Sequence, residues 1–215
     1  RGVWAKPYAV CIGWFKAIAG GNDRLQGEAI ICRYADDFVC AFQFKSDAER
    51  FYKVLPKRLE KYNLEVAEDK TQCMRFSRFE PSLMNRFTFL GFEFYWDWDK
   101  KKTARLFRRT ARKKLQVKKA ELSAYIKKIR YMKTSKLIGK LTEKLRGHYG
   151  YFGVVGNLDS LKAMYSHAEE KLYKWLNRRS GRKSMTWKKL KRTIAYCALA
   201  RPVVKARTTM MRVWW

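Results

Sequence analysis

Short apolar runs occupy the first half of the chain, and longer segments with helical spacing occupy the second half. From Glu28 to Phe44, two runs of β-branched and aromatic residues flank an acidic pair, Asp36 and Asp37. Runs of this length and composition predict two strands. The acidic pair is therefore predicted to lie in a hairpin turn.

A helix is predicted to follow this hairpin. Ser46 and Glu49 have the spacing of a capping box, and apolar residues continue at helical intervals as far as Tyr62. Pro56 is expected to kink or interrupt the helix, because it removes one backbone hydrogen bond and clashes with the preceding turn.

The rest of the first half predicts further strands. Residues 64–67 and 71–76 have the composition of two short strands, and residues 86–98 predict a hairpin bent at Gly91. Residues 1–27 indicate a short helix followed by a loop. The first 99 residues are thus expected to form a sheet with a packed helix.

Beyond Asp99 the apolar period becomes helical, and three helices with one apolar stripe each predict a bundle. The segment from Gly147 to Asn157, rich in glycine and aromatic residues, is expected to link the second and third helices, with Asn157 capping the third. A loop at 180–184 precedes a last helix from about Trp187 to Leu199. The predicted fold class is α+β, with residues 1–99 and 100–215 as two regions.

Charge separates the same two regions. The 215-residue chain has a formal net charge of +30; residues 1–99 contain 15 Lys/Arg against 14 Asp/Glu, whereas residues 100–215 contain 34 against 5. Such a field attracts polyanions, so nucleic acid is the expected partner. A basic tail could carry this charge, but regularly spaced Trp, Tyr, Leu and Ile favour a structured basic domain.

The cysteines and hydropathy limit other classes of protein. Five scattered cysteines without a CxxC pair argue against a disulfide framework or a structural zinc site. No apolar run is long enough to predict a membrane span, and no signal peptide is visible. We expect a location in a bacterial cytoplasm, or in an organelle.

Asp36 and Asp37 carry the main candidate chemistry. Nucleotidyl transfer uses two divalent metal ions that activate the attacking hydroxyl and stabilise the leaving oxygen. Mg²⁺ prefers oxygen ligands, which clustered aspartates on a rigid turn can supply. Aspartate also favours turns for conformational reasons alone, so the pair by itself leaves both interpretations open.

Several longer strings resemble one family. RYADDFV, from Arg33 to Val39, resembles the YxDD box of reverse transcriptases in the YADD form of group II intron and related bacterial enzymes. LEVAEDKT (64–71) is similar to the segment after the palm helix, and FTFLGFEF (87–94) to the FLGF box. LRGHYGYFGVVGN (145–157) and KWLNRRSGRKSMTWKKL (174–190) resemble the maturase-type thumb. The resemblance covers nearly the whole chain and is weakest over residues 1–27.

The resemblance implies a polymerase palm followed by a helical thumb, with Mg²⁺ as the cofactor. Asp36 would coordinate metal directly and Asp37 would be a supporting carboxylate. Tyr34 and Ala35 would form the floor beneath the primer-terminal and incoming nucleotides, although Tyr34 also fits the core of a strand. Lys70 would position or protonate the pyrophosphate leaving group, but it also fits a solvated turn.

The hairpin and the basic region complete the expected site. The resemblance gives Phe89, Leu90 and Gly91 an indirect role at the primer end. Residues 100–147 contain 19 Lys/Arg and two acids, which predicts a cationic helical surface that matches a phosphate backbone. Aromatic residues near position 150 fit either stacking on RNA or sealing the bundle end. The expected nucleic-acid-binding residues are Arg108, Arg109, Arg112, Lys113, Lys114, Lys118, Arg146, His148, Tyr149, Arg178, Arg179 and Arg182.

The expected metal site is incomplete in this sequence. The resembling family has a further metal-binding aspartate on an earlier palm strand, and its fingers also precede the YADD box. Asp23 and Glu28 lie in a different context. The resemblance therefore implies that a carboxylate from an N-terminal half, on the same polypeptide or a second chain, completes the two-metal site. This fragment alone is expected to be inactive.

Three functional hypotheses remain at this point. The leading one is an RNA-directed DNA polymerase that acts on an RNA template and an RNA/DNA duplex. The second is an RNA-binding maturase that assists the folding of an intron RNA without catalysis. The third is a reverse-transcriptase-like scaffold in a bacterial defence or CRISPR-associated complex.

Overall fold

The computed structural model describes residues 25–67, 71–79, 81, 85–179 and 185–204. It is an α+β structure in which two small antiparallel sheets precede a helical bundle, so the predicted fold class is confirmed. The helix predicted within residues 1–27 and the loop at 180–184 lie outside the described residues. The strands are β1 (Ala29–Tyr34), β2 (Asp37–Phe42), β3 (Arg86–Phe89), β4 (Phe92–Trp98) and β5 (Ala104–Thr110), and the helices are α1 (Lys45–Glu60), α2 (Arg112–Ile129), α3 (Thr134–Phe152), α4 (Leu158–Asn177) and α5 (Trp187–Tyr196).

The first sheet is the predicted hairpin, β1 paired with β2, and helix α1 packs against it. The rings of Phe42 and Phe51 lie 5.2 Å apart at this contact. The predicted capping box does not form, because the Ser46 hydroxyl donates to the side chain of Gln26 instead. Pro56 lies within α1, which continues to residue 60. The proline therefore does not end the helix.

The two short strands predicted over 64–67 and 71–76 do not form, and these residues have no regular secondary structure. The Phe76 side chain packs on the second sheet rather than pairing along a strand. Its ring lies 4.9 Å from that of Phe87 and 6.0 Å from that of Trp96.

The second sheet has the order β3-β4-β5 and is antiparallel throughout. Its third strand, β5, was predicted to be part of the helical region, so that prediction was wrong. The Asp99 carboxylate accepts hydrogen bonds from the backbone N–H groups of Lys101 and Thr103 and so closes the turn between β4 and β5. The expected division at 99/100 falls in this turn, and the sheet spans it.

The bundle consists of α2, α3 and α4, with α5 added to one side. The starts of α2 and α4 are joined by hydrogen bonds between Asn157 and Thr110, and their ends meet where Arg130 contacts Trp175. Helices α2 and α4 are therefore parallel. Helix α3 is antiparallel to both, because it leads from the end of α2 back to the start of α4. Buried leucine and isoleucine side chains from all four helices form the main core.

Two helix boundaries differ from the predictions. Helix α3 continues to Phe152, so the first half of the predicted 147–157 linker is helical. Gly147 and Gly150 lie on the exposed side of this segment, whereas Tyr149 and Phe152 face the core, so the helical period persists there. Helix α5 ends at Tyr196 rather than near Leu199. Within the described residues, no helix is both long and apolar enough to span a membrane.

Candidate functional site

The acidic pair lies at the tip of the β1–β2 hairpin, as predicted. Tyr34 pairs with Asp37 at the end of the ladder, and Ala35 and Asp36 form the connecting turn. Ala35 has a φ of 53°, a left-handed conformation that costs a non-glycine residue about 1 kcal/mol. Both carboxylates are exposed. Within the described structure neither makes a hydrogen bond or ion pair, so their oxygens are available to a ligand.

A cleft of about 570 Å³ opens beside this hairpin. Asp37 lies at its edge, and the Leu90–Gly91 turn between β3 and β4 forms another part of its wall. The rest of the wall comes from the bundle. Helix α2 contributes Lys114, Lys118, Glu121 and Leu122, and helix α3 contributes Lys144, Leu145, Gly147, His148, Tyr151 and Phe152. The cleft thus places one aspartate of the pair close to three lysines.

The Leu90–Gly91 turn is fixed firmly to the bundle. Both residues have positive φ, 52° and 78°, as a two-residue hairpin turn requires. The Tyr151 hydroxyl donates a 2.9 Å hydrogen bond to the Leu90 carbonyl, and the Ala111 N–H donates a 3.0 Å bond to the Gly91 carbonyl. Phe89 is half-buried at the end of β3. These contacts hold the turn in one position relative to α2 and α3.

Asn157 joins the same sheet to the bundle at a second point. Its side-chain carbonyl accepts a 2.7 Å bond from the Thr110 N–H, and its amide donates to the Thr110 hydroxyl and the Phe152 carbonyl, both at 2.8 Å. The side chain is 1% exposed. Asn157 occupies the N-cap position of α4, as predicted, but its side chain makes no capping hydrogen bond to that helix. The side chain connects β5 to the end of α3 instead.

The start of α2 concentrates positive charge. Arg112, Lys113 and Lys114 are all exposed in its first turn, which contains no acidic residue. A helix N-terminus already carries a partial positive charge, so these cations lower the stability of the helix while raising the local potential. Lys118, one turn later, is 2.8 Å from Glu121. The arrangement favours a bound polyanion.

The other arginines predicted to bind nucleic acid differ in exposure and in their partners. Arg146 is exposed on α3, and Arg178 is exposed after α4. Arg108 is half-buried on β5. Arg109 forms a 2.6 Å ion pair with Glu93 on the neighbouring strand. The Arg179 guanidinium donates to the Met132 carbonyl at 2.7 Å, so its contacts are structural.

The two predicted residues of the aromatic segment differ in accessibility. Tyr149 is 5% exposed in the bundle core, and burial raises the pKa of its hydroxyl. This side chain is therefore not available for stacking on RNA. His148 is half-buried in the cleft wall, where burial and the nearby Lys118 lower the pKa of the imidazole. Its Nε2 atom has no hydrogen-bond partner within the described structure.

One charged cleft residue on α3, Lys144, was not among the predicted site residues, whereas Tyr151 was one of the aromatic residues near position 150 considered for stacking on RNA. Lys144 and Tyr151 lie seven positions apart, with His148 between them, and these intervals place all three on one face of a helix. The prediction of a loop from Gly147 concealed this spacing. Lys70 and Arg182, two other predicted site residues, lie outside the described residues.

The donor set of the acidic pair suits Mg²⁺ only in part. Two adjacent, accessible carboxylates on a hairpin provide the hard oxygen ligands that this ion prefers. Among the described residues, no group of three or more His, Cys, Asp or Glu side chains could hold a metal ion. The described residues could therefore supply only part of a coordination shell.

An acidic hairpin beside a lysine-lined cleft and a basic helical bundle is an arrangement suited to nucleic acid. Comparison with protein-family models identifies the class of nucleic-acid-binding protein. Residues 11–94 match the model of reverse transcriptase (RNA-dependent DNA polymerase), and residues 115–194 match that of the group II intron maturase-specific domain. The chain belongs to the group II intron-type reverse transcriptase/maturase family. It matches none of the curated proteins with which it was compared.

Proposed function

We propose that this chain forms the YADD-containing palm segment and the thumb of an RNA-directed DNA polymerase. The observation that carries the proposal is the position of the acidic hairpin beside the lysine-lined cleft. Asp37 borders this cleft, and Asp36 lies next to it in the turn. The reverse transcriptase match covers this hairpin, and the maturase-specific match covers the helices that supply the lysines.

The proposed reaction extends a primer by two-metal nucleotidyl transfer. Bound Mg²⁺ would supply activation of the attacking hydroxyl and stabilisation of the leaving oxygen. Asp36 would coordinate the metal directly, Asp37 would be a supporting carboxylate, and a carboxylate outside the described residues would complete the shell. Tyr34 and Ala35 lie beneath the reacting nucleotides. Lys70 positions the pyrophosphate, a role that its cationic side chain suits because negative charge develops there.

The cleft walls have a separate task in this proposal. Lys114, Lys118 and Lys144 neutralise phosphates of the RNA/DNA duplex, which releases bound counterions. The Leu90–Gly91 turn supports the primer end because Tyr151 and Ala111 hold it against the bundle. Duplex binding and catalysis thus depend on different side chains.

A maturase function without polymerisation is the second candidate. The specific observation that favours it is that no group of three or more possible metal ligands lies among the described residues, whereas residues 100–215 carry 34 Lys/Arg against 5 Asp/Glu, the charge that RNA binding requires. In that case intron RNA is the partner, and the acidic pair has lost its catalytic role.

Primer extension separates the two candidates. The assay uses a polypeptide in which this chain is preceded by the fingers and first palm segment. Asp36→Ala removes a metal ligand, so we expect extension to fall by about 10³-fold or more, with RNA binding unchanged. Glu49→Ala is the control, because it also removes one carboxylate but only from an exposed pair with Lys45 on α1.

Two results would contradict the polymerase proposal. Extension by the Asp36→Ala variant at the rate of the unaltered protein would show that Asp36 is not a metal ligand. If the unaltered protein binds RNA but never extends a primer, the maturase function is the better account.

A further inference from the structure

The end of the bundle that lies far from the sheet has its own cation and aromatic cluster. We call this region the far end; it comprises Arg130, Tyr131, Lys174, Trp175 and Arg178. It lies where α2 and α4 both end. Arg130 is twelve residues beyond Lys118 on α2, which places it about 18 Å along the helix axis from the cleft. The far end is therefore separate from the proposed polymerase cleft.

Three side chains of the far end form a stack. The Arg130 guanidinium lies 4.6 Å from the ring centroid of Tyr131 and 4.7 Å from that of Trp175. It also donates a hydrogen bond to the Tyr131 hydroxyl. Tyr131 is nevertheless 76% exposed. The stack therefore orders the Tyr131 ring while leaving much of it open to solvent.

The loop that carries Tyr131 is held from the other side. Arg179 donates hydrogen bonds to the Met132 carbonyl at 2.7 Å and to the Thr134 hydroxyl at 3.2 Å. These bonds connect the α2–α3 loop to the end of α4. A ring that is already ordered loses little conformational entropy when a ligand stacks on it.

The positive charge at the far end is uncompensated. Residues 122–142 and 171–204 contain no Asp or Glu. Among the described residues, Arg130, Lys174 and Arg178 form no ion pair with a carboxylate. The carboxyl ends of α2 and α4 carry partial negative charge, which favours cations there but does not neutralise several full charges. A bound anion would neutralise these charges.

We propose that the far end is a second RNA site, which binds an unpaired stretch of RNA. A base stacks on the open face of Tyr131, and Lys174 and Arg178 neutralise the adjoining phosphates. Unpaired RNA fits better than duplex, because paired bases present only their edges whereas an exposed aromatic ring binds a base face. The inference rests on the proposed role of RNA as partner, but not on polymerisation.

Equilibrium binding of two fluorescein-labelled probes to the full 215-residue chain tests this site. One probe is an unstructured CA-repeat RNA about a dozen nucleotides long, and the other is an RNA/DNA duplex of similar length. Tyr131→Ala is expected to weaken binding of the single-stranded RNA by about 5-fold or more, the lower end of measured stacking contributions. Binding of the duplex, which occupies the cleft, stays unchanged.

Matched variants make the result specific. Tyr196→Ala removes another tyrosine that is 91% exposed but lies at the end of α5, so single-stranded RNA should bind this variant as it binds the unaltered chain. Lys118→Gln should weaken duplex binding and leave single-stranded RNA binding unchanged. Arg178→Gln, which keeps the Tyr131 stack, should weaken single-stranded RNA binding and reduce its dependence on salt.

The outcomes separate this inference from the proposed function. Equal affinity of Tyr131→Ala and the unaltered chain for single-stranded RNA overturns the second site but leaves the polymerase proposal intact. If Tyr131→Ala weakens binding of both probes to the same extent, the second site is also overturned, because the two sites would then not be separate. If the unaltered chain binds neither probe, the role of RNA as partner fails as well.

Discussion

Replacing Asn157 with alanine should loosen the connection between the second sheet and the bundle. The change removes three hydrogen bonds of 2.7–2.8 Å and leaves the Thr110 N–H without its acceptor. A buried hydrogen bond contributes about 1 kcal/mol net, and a buried donor without an acceptor adds to the loss. We therefore expect the free energy of unfolding to decrease by about 3 kcal/mol. For a chain of this size, that lowers the melting temperature by about 6–12 °C.

Urea unfolding followed by far-ultraviolet circular dichroism measures the change. Thr110→Val is the matched comparison, because it removes one of the three bonds and keeps the side-chain shape; we expect a loss of about 1 kcal/mol. The double variant should lose less than the sum of the two single changes, since the residues share a bond. An Asn157→Ala midpoint equal to that of the unaltered chain would refute the reasoning.

Two further predictions concern packing and pH. Gly153→Ala should lower the free energy of unfolding, because the added Cβ would lie 2.8 Å from the Val203 carbonyl oxygen and close to the Tyr149 carbonyl oxygen. Gly139→Ala should raise the free energy of unfolding by about 0.5–1 kcal/mol, because no atom lies within 4 Å of the added Cβ. The lowered pKa of His148 means that the unfolded chain takes up a proton at a higher pH than the folded chain, so the free energy of unfolding should fall as the pH drops through 6.5. His148→Gln should reduce this pH dependence in urea titrations without abolishing it, because the pKa of His167 is also lowered.

The acidic hairpin and the helices of the bundle could be predicted because their signals are local. Apolar runs on both sides of Asp36 and Asp37 favour strands, and the turn between them follows directly. Leucine and isoleucine stripes in the second half define α2, α3 and α4 with correct order. Such periodic patterns depend on short stretches of sequence alone.

The errors come from features that depend on distant partners. Strand β5, ARLFRRT, has no regular alternation of apolar and polar residues, and its arginines resemble the basic helices that follow. What stabilises it is its partner: Arg109 pairs with Glu93 on β4. Asn157 has the composition signal of a helix cap, but its side chain bonds to Thr110, 47 positions earlier in the sequence. No local pattern contains that contact.

The candidate site was predicted only in part for the same reason. The sequence indicates the aspartates and a general cationic surface, but which lysines border the cleft depends on how α2 and α3 pack. His148 and Tyr151 lie beside Lys144 in the cleft because α3 continues through Gly147 and Gly150, and the same turn directs the Tyr149 ring into the core. The sequence alone does not distinguish the basic residues that border the cleft from those that lie elsewhere on the basic surface.

The two sheets differ in how they are held against the rest of the structure. The second sheet is fixed to the bundle by Asn157 and Tyr151, whereas β1 and β2 have only each other as strand partners within the described structure. Ile30 and Tyr34 are exposed on this hairpin, and its support within the described structure is helix α1, whose Phe51 ring lies 5.2 Å from that of Phe42. Within the described structure, the position of the acidic pair therefore depends on the β1–β2 ladder and on packing against α1, whereas direct hydrogen bonds to the bundle hold the Leu90–Gly91 turn.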